Sequence, residues 1–290
     1  AAGGTLGILI PPSITLIVYG VLTETSVPEL YLAGVIPGLL LALMFSLIIA
    51  GICIFNKAAG GKRTKHSWSE RFQLLPDLLP PMIIFVGVIG SIYMGLATPT
   101  EAASIGVVLS VALAAWNKSL SLDMLLRSFE GTVKTTSMIM LIIFAAMILN
   151  IVIGFLGYIQ DATAFISTLG LSPLQMISIV VIFYLIIGMF METFSMMLTT
   201  IGLVFPLVTS LGFDPVWFGI LVTVLMETAL ITPPIGVNLF VVQGIRTRNA
   251  PFRDVAIGAV PFVVVMLLLI VLLVAFPGLA LWLPNLFYGS

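Results

Sequence analysis

The sequence predicts an all-α integral membrane protein, and three observations carry the prediction. Of its 290 residues, 60% are hydrophobic and only 8% are charged, against about 25% charged in soluble domains. Apolar blocks run unbroken for the length of a bilayer crossing, as in Leu30–Phe55 and Ile257–Phe276. These blocks do not alternate apolar and polar residues, which excludes a β-barrel. The same composition excludes a disordered chain and lacks the polar surface of a soluble enzyme. A net charge of −1 leaves no electrostatic footprint for nucleic acid.

One cysteine, Cys53, and one histidine, His66, exclude a disulfide framework and a zinc-type His/Cys site. The chain opens on Ala1-Ala2-Gly3-Gly4-Thr5 with no Met and no charged segment. That is not a signal peptide, and it reads as a fragment whose N-terminal portion lies upstream.

The positions of the charges order the spans. All 11 Lys and Arg fall in three clusters: Lys57, Lys62, Arg63, Lys65 and Arg71; Lys118, Arg127 and Lys134; and Arg246, Arg248 and Arg253. The positive-inside rule places all three in the cytoplasm. Leu30–Phe55 then enters from an outer loop at Thr23–Glu29. Leu78–Leu96 leads outward and Ala102–Trp116 returns. That return is short for a span, about 22 Å at 1.5 Å per residue. Asp123–Lys134 mixes charges with Met124, Leu125, Leu126 and Phe129, which predicts an amphipathic helix along the inner interface. Met138–Leu156 leads outward, Pro173–Gly212 enters and returns, and Val216–Gln243 crosses inward. Ile257–Phe276 crosses outward and leaves an uncharged tail outside. This segmentation puts every basic cluster on one side.

Two Pro-Pro pairs interrupt apolar segments, at Ile10-Pro11-Pro12-Ser13 and at Thr232-Pro233-Pro234-Ile235. A proline removes a helical hydrogen bond and restricts the residue before it. Two in succession unwind the helix, and the freed backbone groups need protein, water or a ligand at membrane depth. A kink satisfied by neighbouring helices is the plain alternative. The two pairs sit in similar surroundings, however. Gly20, Pro28 and Gly34-x-x-Pro37 follow the first; Gly244, Pro251 and Gly258-x-x-Pro261 follow the second. Pro12 to Pro37 is 25 residues and Pro234 to Pro261 is 27. The first unit leads to an outer loop and the second to an inner one. An inverted repeat with broken helices in matching positions points to a secondary transporter with its site near the midplane.

Pro173–Gly212 spans 40 residues, too few for two full crossings and a turn. Its polar centre, Glu192 to Thr200, predicts a re-entrant hairpin, with a cytoplasmic loop as the alternative. Three carboxylates lie in apolar surroundings: Glu101, Glu192 and Glu227. Ala97-Thr98-Pro99-Thr100-Glu101 reads as a helix start, where a carboxylate meets the positive helix end. Glu192 and Glu227 each precede a Thr, Thr193 and Thr228, beside a proposed unwound site. They read as supports for hydroxyls and backbone amides, with proton carriage as the alternative. Met189, Met191, Met196 and Met197 read as packing residues. Gly60-Gly61-Lys62-Arg63 lacks the residues and the preceding strand of a phosphate loop.

Five motifs stand together in one order: Gly7-Ile8-Leu9-Ile10-Pro11-Pro12-Ser13, Ala97-Thr98-Pro99-Thr100-Glu101-Ala102, Gly188-Met189-Phe190-Met191-Glu192-Thr193, Gly212–Gly219 and Ile231–Phe240. As a set they make the chain resemble the large membrane subunit, DctM-like or SiaM-like, of tripartite ATP-independent periplasmic (TRAP) transporters, over its C-terminal two thirds. The resemblance implies an elevator-type, sodium-driven importer in the bacterial inner membrane. It implies as partners a small membrane subunit and a periplasmic binding protein that delivers an organic acid, a C4-dicarboxylate or a sialic acid. It also implies sodium sites where hairpin tips meet unwound helices, held largely by backbone carbonyls. One would use Gly7, Ile10 and Pro12. The other would use Gly188, Ala229, Thr232 and Ile235; Ala229 stands where the family often has Gly. An offset of 222 matches Gly7 to Ala229 and Ile10 to Thr232. Ser195, Thr199 and Asn238 are candidates for lining the substrate cavity.

The resulting organisation is a first broken helix at 1–29, scaffold helices and the interfacial helix at 30–134, a second half at 135–255 and a last span with its outer tail at 256–290. The second half contains the hairpin 173–212 and the broken helix 216–245. Two other classes compete: an intramembrane enzyme using Glu192 and Glu227, for which no nucleophile or metal pair stands out, and a non-transporting scaffold subunit.

Overall fold

Helices α1 (Ala2–Leu9), α2 (Ile14–Thr23) and α3 (Val27–Phe55) open the chain in its computed structural model. A short α4 (Trp68–Gln73) and a 3-10 turn at Leu75–Leu78 precede α5 (Leu79–Tyr93), α6 (Pro99–Trp116) and α7 (Leu122–Phe155). Then come α8 (Pro173–Gly188), α9 (Thr193–Ser210), α10 (Pro215–Leu230), α11 (Val237–Ile245), α12 (Phe252–Ala275) and α13 (Gly278–Tyr288). The structure describes residues 2–56, 67–73, 75–158, 160–161, 164, 168, 170–233, 236–245 and 251–289, with only the backbone of Glu70, Arg71 and Gln73. Most of the first basic cluster, Gly60–Arg63, Arg246 and Arg248 lie outside these residues.

No strand occurs among the described residues. Six of the helices there are long and apolar enough to cross a membrane, counting the 3-10 turn with α5. The starts of several helices follow from local chemistry. Thr98-Pro99, Ser172-Pro173 and Asp214-Pro215 each place a side-chain acceptor at the cap and a proline at the first helical position. Asp214 accepts from the amides of Val216 (2.8 Å) and Trp217 (3.0 Å). At Thr98 the cap is reciprocal, with Glu101 accepting from the Thr98 amide at 2.8 Å. Glu101 is therefore a helix-start residue, as its motif predicts.

Two compact units emerge. One comprises residues 49–137. In it α5 and α6 pair closely, and the absent side chain of Gly87 makes room for Leu109. The charged segment 123–134 differs from the separate interfacial helix expected. It forms the first turns of α7, a single helix of 34 residues. Two i,i+4 pairs, Asp123–Arg127 (3.0 Å) and Glu130–Lys134 (2.7 Å), line its exposed surface. Nothing between Lys134 and Met138 breaks a helix, so the polar and apolar stretches join.

The other unit comprises residues 1–48 and 138–290. Its centre is α10. Every residue from Val216 to Leu230 is buried, because α1, α2, α8, α9, α11, α12 and α13 all pack on it. A helix apolar on all sides is a core helix. Trp217 fixes one flank, its indole donating to the Leu273 carbonyl of α12 at 2.9 Å. The tail expected after Phe276 is helical: Pro277 ends the α12 run, and α13 buries Ala280 and Pro284.

Candidate functional site

The first Pro-Pro pair breaks the chain between α1 and α2, which bend by 44°. Residues Ile10 to Ser13 leave the helix, and Ser13 restarts it by accepting from the Leu16 amide at 3.3 Å. The end of α1 lies against α3. A Cβ at Gly34 would stand 2.6 Å from the Leu9 carbonyl oxygen, so Gly34 is what admits this backbone approach. Of the residues expected to form the first sodium site, Ile10 is half-buried, whereas Gly7 and Pro12 are exposed.

The second break separates α10 from α11. Thr232 lies in it, with its hydroxyl donating to the Thr228 carbonyl at 2.6 Å. Ile235 lies outside the described residues. The hairpin tip is Met189–Glu192, between α8 and α9. Glu192 caps α9, accepting from the amides of Phe194 (3.0 Å) and Ser195 (3.1 Å). Thr193 beside it is buried.

The ends of α8 and α10, next to the tip and the break, come together. Gly188, the last residue of α8, lies so close to Ala229 that a Cβ there would overlap the Ala229 methyl. It would also reach 3.1 Å from the Met196 thioether. Two residues 41 apart in sequence, both expected at one sodium site, therefore touch. The missing side chain at 188 accommodates the methyl at 229.

Ser195 and Thr199 are half-buried on the first turns of α9, and the Thr199 hydroxyl donates to the Ser195 carbonyl at 2.7 Å. Asn238 is half-buried at the start of α11, which packs on α10 and α12. Glu227 behaves differently from Glu192. It is fully buried, and neither carboxylate oxygen has a hydrogen-bond partner among the described residues. The neighbouring Thr228 hydroxyl donates instead to the Val224 carbonyl at 2.7 Å.

Sequence reasoning missed Tyr19. Its hydroxyl donates to the Pro215 carbonyl at 2.7 Å, tying α2 to the start of α10 across 196 residues. No local motif marks it. Thr5 was also passed over, although the 222-residue offset pairs it with Glu227 and both are fully buried.

The fold thus defines a multi-pass helical membrane protein with two interrupted helices, one of which supplies the buried core helix α10. The chain belongs to the family of the DctM component of the tripartite ATP-independent periplasmic transporter, whose family model matches residues 1–279. It is 36% identical over 283 residues to the C4-dicarboxylate TRAP transporter large permease protein DctM of Pseudomonas aeruginosa, covering 97% of this chain and 65% of that protein. It is 30% identical to the sialic acid TRAP transporter large permease protein SiaM of Vibrio cholerae, covering 100% of this chain and 67% of that protein. The ectoine/5-hydroxyectoine permease UehC of Ruegeria pomeroyi is 32% identical, covering 98% and 66%. The chain spans about two thirds of the length of these relatives. They are named as transporter permease proteins, which sets the intramembrane-enzyme alternative aside.

Proposed function

We propose that this chain carries the translocation core of a sodium-driven importer of an organic acid, working by elevator-type alternating access. The observation that carries the reading is the contact of Gly188 with Ala229, where the end of a hairpin helix meets the end of a broken helix. Unwound backbone at such a junction offers carbonyl oxygens to a sodium ion. Gly188, Ala229, Thr232 and Ile235 are assigned to one ion, and Gly7, Ile10 and Pro12 to a second. Each ion moving inward gains about 2.3 kcal/mol per 100 mV of membrane potential, so two gain about 4.6 kcal/mol. That accumulates substrate without ATP.

The repeat supports the reading in its order of elements. A broken pair followed by a long helix with an internal proline occurs as α1, α2 and α3 with Pro37, and again as α10, α11 and α12 with Pro261. The two units are read as inverted. The basic loops are cytoplasmic and the C-terminus periplasmic, in the bacterial inner membrane. A small membrane subunit and a periplasmic binding protein complete the machine. The relatives' names give dicarboxylate, sialic acid and ectoine, all carboxylates, so a carboxylate is the common substrate feature. Ser195, Thr199 and Asn238 are assigned to its cavity.

The test is uptake into proteoliposomes by the complete complex with its binding protein. An inward sodium gradient drives accumulation, and omitting the binding protein abolishes it. Equal uptake with potassium replacing sodium would refute the coupling.

A further inference from the structure

Glu227 is an anomaly within the core. Its side chain is fully buried near the end of α10, and both oxygens lack a partner among the described residues. An isolated buried carboxylate is strongly unfavourable unless a proton or a cation neutralises it. The helices packed on α10 supply none nearby. The described basic residue they carry is Arg253 at the exposed start of α12. Their acidic and phenolic groups, Asp254, Tyr19, Tyr184 and Tyr288, add no cation.

Two buried hydroxyls, those of Thr223 and Thr5, lie on the elements that flank Glu227. Helical periodicity of about 100° per residue places Thr223 on its face, one turn earlier. Thr223 is buried, and its hydroxyl donates to the Gly219 carbonyl at 2.8 Å, leaving lone pairs on its oxygen. The same periodicity sets Glu227 about 80° from Gly219 and about 80° the other way from Trp217. Gly219 meets Tyr19 and Leu30, on α2 and α3, and Trp217 meets α12. Helix α1 bridges these two flanks. Its Leu9 end lies on α3 at Gly34, and Ala2 lines a cleft with Val255, Gly258, Ala259 and Phe262 of α12. It also packs on α10. The fully buried Thr5 lies midway along α1, and its hydroxyl donates to the Ala2 carbonyl at 2.8 Å. The 222-residue offset makes Thr5 the counterpart of Glu227 in the other half.

We propose that Glu227, Thr223 and Thr5 form a buried cation site between α10 and α1, separate from the two backbone sites and occupied by Na+. One carboxylate balances one monovalent charge. No group of three His, Cys, Asp or Glu that could hold a metal occurs among the described residues, so the site lacks the charge set of a divalent ion. Hydroxyl and carboxylate oxygens are the ligands a hard cation takes. Joining the two broken helices through one ion would make closure of the repeat interface depend on sodium.

This inference rests on the sodium reading above, and the test separates the two. Bound 22Na+ is counted per purified complete complex for wild type and E227Q, with assembly checked by size-exclusion chromatography. The proposal predicts that assembled E227Q holds one ion fewer than wild type. If wild type binds no sodium, the broader reading fails. If wild type binds sodium and E227Q binds the same number, this inference alone fails. Should E227Q not assemble, the count moves to T223V and T5V. Each is expected to raise several-fold the sodium concentration needed to fill the last site; unchanged occupancy curves in both overturn the proposal.

Discussion

Gly188 and Ala229 are in contact, with the end of one hairpin helix resting on the methyl group that closes the core helix α10. A side chain at 188 would meet both that methyl and the Met196 thioether. Gly188→Ala should therefore destabilise the protein by about 1–3 kcal/mol, the cost of overpacking a filled core. Ala229→Gly removes the opposing methyl and should recover most of the loss in the double variant. Thermal unfolding of the four proteins in one detergent gives the coupling directly.

Glu192 caps α9 through two backbone amides. Glu192→Ala removes that cap and should cost about 1 kcal/mol. The expected readout is a lower Tm together with faster hydrogen exchange at the Phe194 and Ser195 amides. Unchanged exchange there would show that the cap contributes nothing.

Tyr19→Phe deletes only the hydroxyl that donates to the Pro215 carbonyl. The loss should be about 0.5–1.5 kcal/mol in stability. Its sodium dependence should match wild type, because the bond ties α2 to the far end of α10 from the break.

Thr232→Val removes the hydroxyl that donates to the Thr228 carbonyl but keeps the shape of the side chain. A rise in the sodium concentration for half-maximal uptake is expected. An unchanged titration assigns the role to the Thr232 backbone carbonyl and removes its side chain.

Much of this was legible because the signals are chemical and local. Pro11-Pro12 unwinds a helix wherever it stands, and the break is where it was read. Thr98, Ser172 and Asp214 each announce a helix start through an acceptor followed by proline. Segment 123–134 was less legible, since its charges said where it lies but nothing in them stops a helix from running on into α7. Long-range contacts left still less trace. The bond from Tyr19 to Pro215 depends on how α2 packs, and no spacing encodes it. The isolation of Glu227 is likewise a property of seven surrounding helices rather than of its neighbours in sequence. Gly188 was singled out by a motif, but only packing explains why glycine, opposite Ala229, has to stand there.

The central claim is that sodium moves with the substrate through the junction of hairpin and broken helix. The most direct measurement is the simultaneous flux of 22Na+ and labelled substrate into proteoliposomes holding the complete complex and its binding protein. The account predicts that substrate entry is accompanied by sodium in a fixed ratio. Substrate entering at full rate with no accompanying 22Na+ would contradict it.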